Sequence, residues 1–154
     1  MRREDREITD IILTEEIISK ADVCRIAFAS ENVPYIVTMN FGYEGGEHPR
    51  FWFHGAGEGR KHEMIRKNSY VCFELDVDHE LFSGERGCDW GMKYKSIVGY
   101  GNISIITDRK IKIEGLNSIM KHYSGRTDHS FSEKVTDRTT VLMLEVKEIT
   151  AKKC

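Results

Sequence analysis

The residues from Phe53 to Lys61 have the composition of an anion-binding site. In chain order they read Phe-His-Gly-Ala-Gly-Glu-Gly-Arg-Lys, and a short helix is predicted to begin at the final glycine. Backbone N–H groups at a helix start attract anions, and glycines let a phosphate approach those groups closely. Arg60 and Lys61 add positive charge at the same place. The sequence therefore predicts a phosphate site here.

The spacing of this site differs from the two common nucleotide-binding motifs. A P-loop needs Ser or Thr directly after its Lys, whereas His62 follows Lys61. The dinucleotide motif needs the spacing GxGxxG, whereas the three glycines of this run alternate with single residues. Cations at a helix start oppose the helix dipole, which is a reason to expect an anion that compensates them. The phosphate site is therefore predicted to be of another kind.

Positive charge is local to this segment. The whole chain of 154 residues carries a formal net charge of -2, which argues against a general nucleic-acid binder. No apolar run approaches the ~18 residues that a membrane span needs. The charged N-terminus is not typical of a signal peptide. We therefore expect a cytoplasmic protein that binds a small anionic ligand and neither nucleic acid nor a membrane.

The cysteines do not indicate a disulfide framework or a metal site. Cys24, Cys72, Cys88 and Cys154 show no CxxC spacing, and the first two lie in predicted strands, where a buried, reduced thiol is expected. A zinc site from Cys72, His79 and Cys88 would lack the tight ligand pairs of structural zinc sites, so no metal is predicted. No nucleophile with its base can be assembled either. That absence favours chemistry carried by a cofactor.

Hydrophobic periodicity predicts a mainly β chain with peripheral helices. Runs of few residues between most strands favour hairpins, and therefore an antiparallel sheet rather than a βαβ arrangement. We predict one domain over residues 1–154, built as a six-stranded antiparallel split β-barrel with flanking helices. The predicted strands cover residues 23–29, 34–41, 50–54, 70–77, 96–107 and 138–149. The predicted helices cover about 10–20, 59–67 and a stretch capped by Asp108, and residues 78–95 form a long connection.

The same patterns predict which side chains are buried. Trp52 should lie opposite Phe51 and Phe53, over a barrel end or at a subunit contact. Alternation predicts an inward face in the strand over 70–77, made of Val71, Phe73, Leu75 and Val77. The first helix is expected to bury Ile11, Ile12, Ile17, Ile18 and Ala21. Four histidines are expected at the surface, namely His62, His79, His122 and His129.

Taken together, these segments resemble the FMN-binding split barrels related to pyridoxamine 5′-phosphate oxidase, and especially their nitroimidazole-resistance (Nim-type) branch. The most specific stretch is the run from Phe53 to Lys61. Supporting stretches are residues 24–28, 34–41, 68, 96–101 and 148–153, so the resemblance covers nearly the whole chain. It implies a homodimer that binds two flavins, each in a cleft between the subunits.

The resemblance also implies positions for the cofactor. Arg60 and Lys61 would contact the flavin phosphate, the ring would lie along the second strand, and Phe53 and His54 would lie near the ribityl chain and ring edge. The cofactor-binding residues expected in this way are Val37, Thr38, Met39, Asn40, Phe53, His54, Gly55, Ala56, Arg60, Lys61, Trp90 and Ser96. This chain departs from the family at two positions: Ala151 stands where Gly is common, and Thr38, where Pro is common, restores a backbone donor and adds a hydroxyl.

Three functions follow from this resemblance. The first is a flavin-dependent oxidoreductase of small aromatic or nitro compounds, with a donor such as NAD(P)H and with His54 as the candidate catalytic residue. His54 could equally be a hydrogen-bonded structural residue. The second is a flavin or small-molecule binding module without turnover. The third, pyridoxamine 5′-phosphate oxidation, is weaker because no second cluster of glycine and basic residues offers another phosphate site. FMN is favoured because one phosphate cradle is present, although FAD is possible.

Overall fold

The computed structural model describes residues 4–154, so the first three residues of the charged N-terminus lie outside it. The strands are β1 (Glu7–Ile8), β2 (Cys24–Ser30), β3 (Val33–Met39), β4 (Phe41–Glu44), β5 (Arg50–Gly55), β6 (Tyr70–Phe82), β7 (Gly91–Ile106) and β8 (Thr140–Lys153). The helices are α1 (Ile11–Lys20), α2 (Arg60–Lys67), α3 (Arg109–Ser124) and α4 (Glu133–Arg138). Short 3-10 helices cover Glu4–Arg6 and Gly87–Asp89. None of the described helices is long and apolar enough to cross a membrane.

All strands belong to one antiparallel sheet, as the hairpin connections predict. The strand order is β3-β2-β6-β7-β8-β5-β4, and β1 pairs with β8. The predicted count of six strands is wrong, because the described residues form eight: β1 is additional, and the predicted second strand is divided at Asn40 into β3 and β4. These two strands lie at opposite ends of the path although one residue separates them, so the sheet must curl. Its closure into a barrel stays a prediction.

The predicted long connection over residues 78–95 is wrong. After a register shift between Val77 and Glu80, β6 and β7 resume pairing and reach Phe82 opposite Gly91. They form a largely solvent-exposed ladder, here called the hairpin arm (residues 78–93). Asp78 adopts a φ of 57°, a left-handed conformation that Asp tolerates. The glycines and charged residues of the hairpin arm are not typical of a strand, so the sequence patterns did not predict strands there.

The main core lies on the inner face of the curled sheet. The predicted alternation of β6 is confirmed, since Val71, Phe73, Leu75 and Val77 are all buried. Phe51 is central, with its ring centroid 5.5 Å from that of Phe41 and 5.0 Å from that of Phe73. Burying aromatic rings in this way removes large apolar areas from water and supplies much of the stability of the sheet.

A second, smaller cluster lies between the outer face of the sheet and α3. Trp52 is buried there with Leu116, Ile119 and Val141. It faces away from Phe51 and Phe53, as predicted, but α3 of the same chain covers it, so the expectation of a barrel end or subunit contact is wrong. This cluster fixes α3 beside β5, the strand that leads into the predicted phosphate site.

The helices begin where capping residues predict. Asp10 accepts a hydrogen bond from Ile12 N (2.8 Å) at the start of α1, and Asp108 accepts one from Ile111 N (3.0 Å) at the start of α3. The predicted buried face of α1 is only partly right. Ile17, Ile18 and Ala21 are buried, whereas Ile11 and Ile12 lie in the first turn and are exposed.

Candidate functional site

The glycine turn (residues 55–59) connects β5 to α2 at one corner of the sheet. Gly59 immediately precedes α2 and has a φ of 122°, a conformation that side chains rarely adopt and that favours glycine. No side chain caps this helix start. The first N–H groups of an α-helix have no partner within the helix, so this start offers donors to an anion.

From the start of α2, Arg60 reaches β3 and Lys61 lies over the end of β5. The Lys61 ammonium covers Gly55, where an added Cβ would lie 2.7 Å from Nζ and 3.9 Å from Met39 Cε. The Arg60 guanidinium lies 4.6 Å from the centroid of the Tyr35 ring. Within residues 4–154, neither cation forms an ion pair with a carboxylate. The structure therefore places two positive charges without ion-pair partners beside the glycine turn, and the Arg60 charge also lies against β3.

β3 is a terminal strand of the hydrogen-bonded path and pairs only with β2 along it. Half of the backbone groups of such an edge strand point away from the sheet and can bind a ligand. The side chains of Thr38 and Asn40 are exposed, whereas Met39 is buried and Val37 packs partly against the core. Thr38 and Asn40 can therefore contact a ligand through their side chains, and Val37 and Met39 mainly through their backbone.

Phe53 and His54 occupy opposite faces at the end of β5. Phe53 is fully buried in the main core, so only its backbone is open to a ligand. His54 is exposed and lines an otherwise apolar groove of about 210 Å³ between β5, α3 and α4. The remaining lining residues are Leu116, Ile119, Met120, Phe131, Val135, Thr136 and Thr139. Gly55 and Ala56 follow directly in the glycine turn.

His62 is buried, so its predicted surface position is wrong. Its Nε2 lies 3.3 Å from Thr140 Oγ1, and its Nδ1 is buried without a hydrogen-bond partner. Burial, together with the positive charges of Lys61 and Arg66, lowers the pKa of the imidazole and favours its neutral form. The sequence patterns did not indicate the burial of His62, because its hydrogen-bond partner Thr140 is 78 positions away in the chain.

Among the described residues, neither Ser96 nor Trp90 contacts the glycine turn. Ser96 is buried on β7, paired with Asp76 on β6 and Lys152 on β8. It lies three strands from β3, about 14 Å at the usual spacing of strands. Trp90 is 53% exposed at the end of the hairpin arm, where its Nε1 donates to Gly84 O at 3.0 Å.

The cysteines and remaining histidines take varied positions. Cys24 is buried, as predicted, and burial raises the pKa of its thiol, whereas Cys72 is only half-buried. All four cysteines are free. His79 and the half-buried His122 each have a hydrogen-bond partner. Among the described residues, no group of His, Cys, Asp and Glu is arranged to hold a metal ion.

Comparison with known proteins identifies the class to which this fold and site belong. Residues 14–153 match the sequence profile of the pyridoxamine 5′-phosphate oxidase family. The chain belongs to this family, which confirms the resemblance predicted from the sequence. No curated protein matches the chain.

Several solved structures share the fold. A candidate 5-nitroimidazole antibiotic resistance protein from Bacteroides thetaiotaomicron is 32% identical, with a TM-score of 0.83 over 96% of this chain and 86% of that chain. The flavocytochrome Anf3 from Azotobacter vinelandii shares the fold at 18% identity, with a TM-score of 0.82 over 99% of this chain and 71% of that chain. An FAD-binding protein from Mesorhizobium loti shares it at 17% identity, with a TM-score of 0.67 over 97% of both chains.

Proposed function

We propose that this chain is a flavin-binding oxidoreductase that reduces small aromatic or nitro compounds. The observation that carries the proposal is the pair of unpaired cations, Arg60 and Lys61, beside an uncapped helix start and an edge strand. Charge-assisted bonds to a phosphate are among the stronger polar contacts in proteins. Membership of the pyridoxamine 5′-phosphate oxidase family and the 32% identity to the Bacteroides protein support the same reading.

The residues of the glycine turn fit a flavin phosphate. Glycine at position 55 leaves the space that the Lys61 ammonium occupies, and the backbone at Gly59 opens the helix start. One phosphate cradle favours FMN, whereas FAD remains an alternative in which the adenylate extends out of the site. When bound, the flavin supplies electron transfer, and the protein supplies binding, orientation and electrostatics.

Each predicted contact has a part in this proposal. Arg60 and Lys61 hold the phosphate, with Gly55 and Ala56 alongside it. The ring lies along β3, against the side chains of Thr38 and Asn40 and the backbone of Val37 and Met39. Phe53 contributes its backbone near the ribityl chain.

The proposed assembly is a homodimer in which each eight-stranded sheet closes into a split barrel and the flavin lies between the subunits. Ser96 and Trp90 lie away from the glycine turn of their own chain. We therefore assign them to the second wall of the cleft, supplied by the partner subunit. This assignment also accounts for an exposed Trp90 on the hairpin arm.

The groove beside His54 supports a small, mainly apolar substrate. Its volume of about 210 Å³ suits a single substituted aromatic ring, and His54 is the only titratable residue among those that line it. An imidazole can donate a hydrogen bond or a proton to a polar substituent of such a ring. His54 therefore stays the candidate catalytic residue.

Flavin titration tests the proposal directly. Protein purified without added flavin is expected to show flavin absorbance, or to quench the fluorescence of added FMN. A Lys61→Ala variant should bind FMN roughly 10- to 100-fold more weakly, because a charge-assisted contact of about 1.5–3 kcal/mol is lost. Lys67→Ala is the matched control, since Lys67 ends the same helix and pairs with Glu31. Uptake of neither FMN nor FAD would contradict the proposal.

Turnover distinguishes an enzyme from a binding module. NADH or NADPH is expected to reduce the bound flavin, and a nitroaromatic acceptor is expected to reoxidise it without oxygen. A bound flavin that no tested donor reduces would indicate the binding module instead. Oxidation of pyridoxamine 5′-phosphate by the purified protein would support the third function.

A further inference from the structure

His62 links the start of α2 to β8 beneath the glycine turn. Its backbone N–H donates to Gly59 O at 2.9 Å, and its imidazole Nε2 lies 3.3 Å from Thr140 Oγ1. Both His62 and Thr140 are buried, so water competes little for this hydrogen bond. His62 therefore ties the first turn of α2 to the sheet through its side chain.

Thr140 lies beside the first half of the glycine turn, where β5 ends. It is the register partner of Gly55 on β5. Its Oγ1 also lies 3.9 Å from the position that a Cβ on Gly57 would occupy. One hydroxyl group thus lies against β5, the glycine turn and α2. A shift of His62 relative to Thr140 would move the whole turn.

An imidazole that only filled space at this position would lower the stability of the fold relative to an apolar side chain. Nδ1 is buried without a partner, and an apolar side chain of similar volume would avoid that loss. The adjacent cations Lys61 and Arg66 also make a buried base unfavourable whenever it is protonated. The contribution that offsets this cost comes from Nε2 and its bond to Thr140.

We propose that His62 is a positioning residue for the phosphate site. The His62–Thr140 hydrogen bond holds the first turn of α2 in place, so that Arg60, Lys61 and the free N–H groups of the helix start converge on one phosphate group. The inference rests on the proposed flavin function. It predicts that His62 governs recognition of the phosphate group and has little effect on the flavin ring.

Riboflavin makes this prediction testable, because it has the ring of FMN and lacks the phosphate. The dissociation constants of both are measured by fluorescence quenching for the wild type and for His62→Leu, His62→Gln and Thr140→Val. We expect His62→Leu to weaken FMN binding about tenfold and to leave riboflavin binding unchanged. His62→Gln retains a group that can bond Thr140 and should restore most of the FMN affinity.

One variant serves as a control, and another removes the second partner of the hydrogen bond. His48→Gln changes an exposed histidine in the β4–β5 turn and should alter neither affinity. Thr140→Val removes the hydroxyl with little change of shape, and combined with His62→Leu it should add no further loss, since both break one bond. Thermal melts verify that each variant is folded.

Failure of the proposed function and failure of this inference would give different results. A wild-type protein that binds neither flavin removes the proposed function and this inference together. If the wild type binds both flavins and His62→Leu weakens both equally, or weakens neither, the inference alone is overturned. The same holds if His62→Gln behaves like His62→Leu while remaining folded.

Discussion

The buried imidazole of His62 couples protonation to folding. Its pKa in the folded chain is lowered by burial first and by Lys61 and Arg66 next, with Glu58 opposing them. The unfolded chain has an ordinary pKa of about 6.5 at this residue. Between the lowered pKa and about 6.5, the unfolded state therefore binds more protons than the folded state. In that window the contribution of His62 to stability rises with pH and is lost as the pH falls.

Denaturation at several pH values measures this contribution. We expect His62→Gln, which does not titrate, to lose less stability than the wild type as the pH falls from about 7 to 5. Urea unfolding followed by tryptophan fluorescence gives both free energies. The other five histidines are the same in both proteins, so the difference between the two curves isolates His62. Parallel curves would contradict the prediction.

Single residues differed in how far their position could be predicted from the sequence. Arg60 and Lys61 could be placed at a helix start because glycines and charge are local signals. His62 could not, because a buried partner on β8 decides its environment. The side of β5 on which His54 lies follows from alternation. The groove that it lines does not, because α3 and α4 form its other walls.

At the scale of elements, strand faces were the most predictable property. Alternation of apolar residues identifies the inner face of β6, since a buried sheet face imposes a period of two. The hairpin arm was missed because it has no buried face and so leaves no alternating pattern. The break between β3 and β4 was missed because the alternation of apolar residues, with Val37, Met39 and Phe41 on one face, continues across Asn40.

Close packing of β4 against α3 depends on a glycine. A Cβ at Gly42 would lie 2.4 Å from both Ile119 N and Ser118 C, which are backbone atoms of α3. Gly42→Ala should therefore push the helix from the strand and lower the free energy of unfolding by about 1–3 kcal/mol. Chemical denaturation measures the change.

Gly87→Ala is the matched control for this substitution. No atom lies within 4 Å of a Cβ built at Gly87, in the turn of the hairpin arm, and the backbone there suits alanine. Its effect should stay within about 0.5 kcal/mol. Equal stability changes in the two variants would show that contact with α3 is not the cause.

At the scale of the whole molecule, the exposed surface of β3 is a candidate contact between subunits. Ile36 is 64% exposed and Val33 is also exposed, on a strand that carries proposed flavin contacts. Exposed apolar residues beside a binding site often mark a subunit contact. In the proposed homodimer, Ile36 would be buried against the partner.

A charge at this position tests the assembly. We expect the wild type to have about twice its chain mass in solution by light scattering, and Ile36→Lys to shift toward the monomer and to bind FMN more weakly. Ile12→Lys is the control, because Ile12 is also strongly exposed (74%), in the first turn of α1 and outside the proposed flavin and substrate sites. A monomeric wild type, or a variant that remains dimeric with full affinity, would rule out this surface as the contact.

The single residue between β3 and β4 has a consequence for how the chain can vary in length. Met39 and Phe41, on either side of Asn40, both point into the core. Inserting one residue there would turn the side chains of either β3 or β4 to the opposite face. The insertion would then expose either the buried residues of β3 or the aromatic core residue of β4. Two inserted residues would preserve both faces. Relatives that differ in length at this point should therefore differ by even numbers of residues.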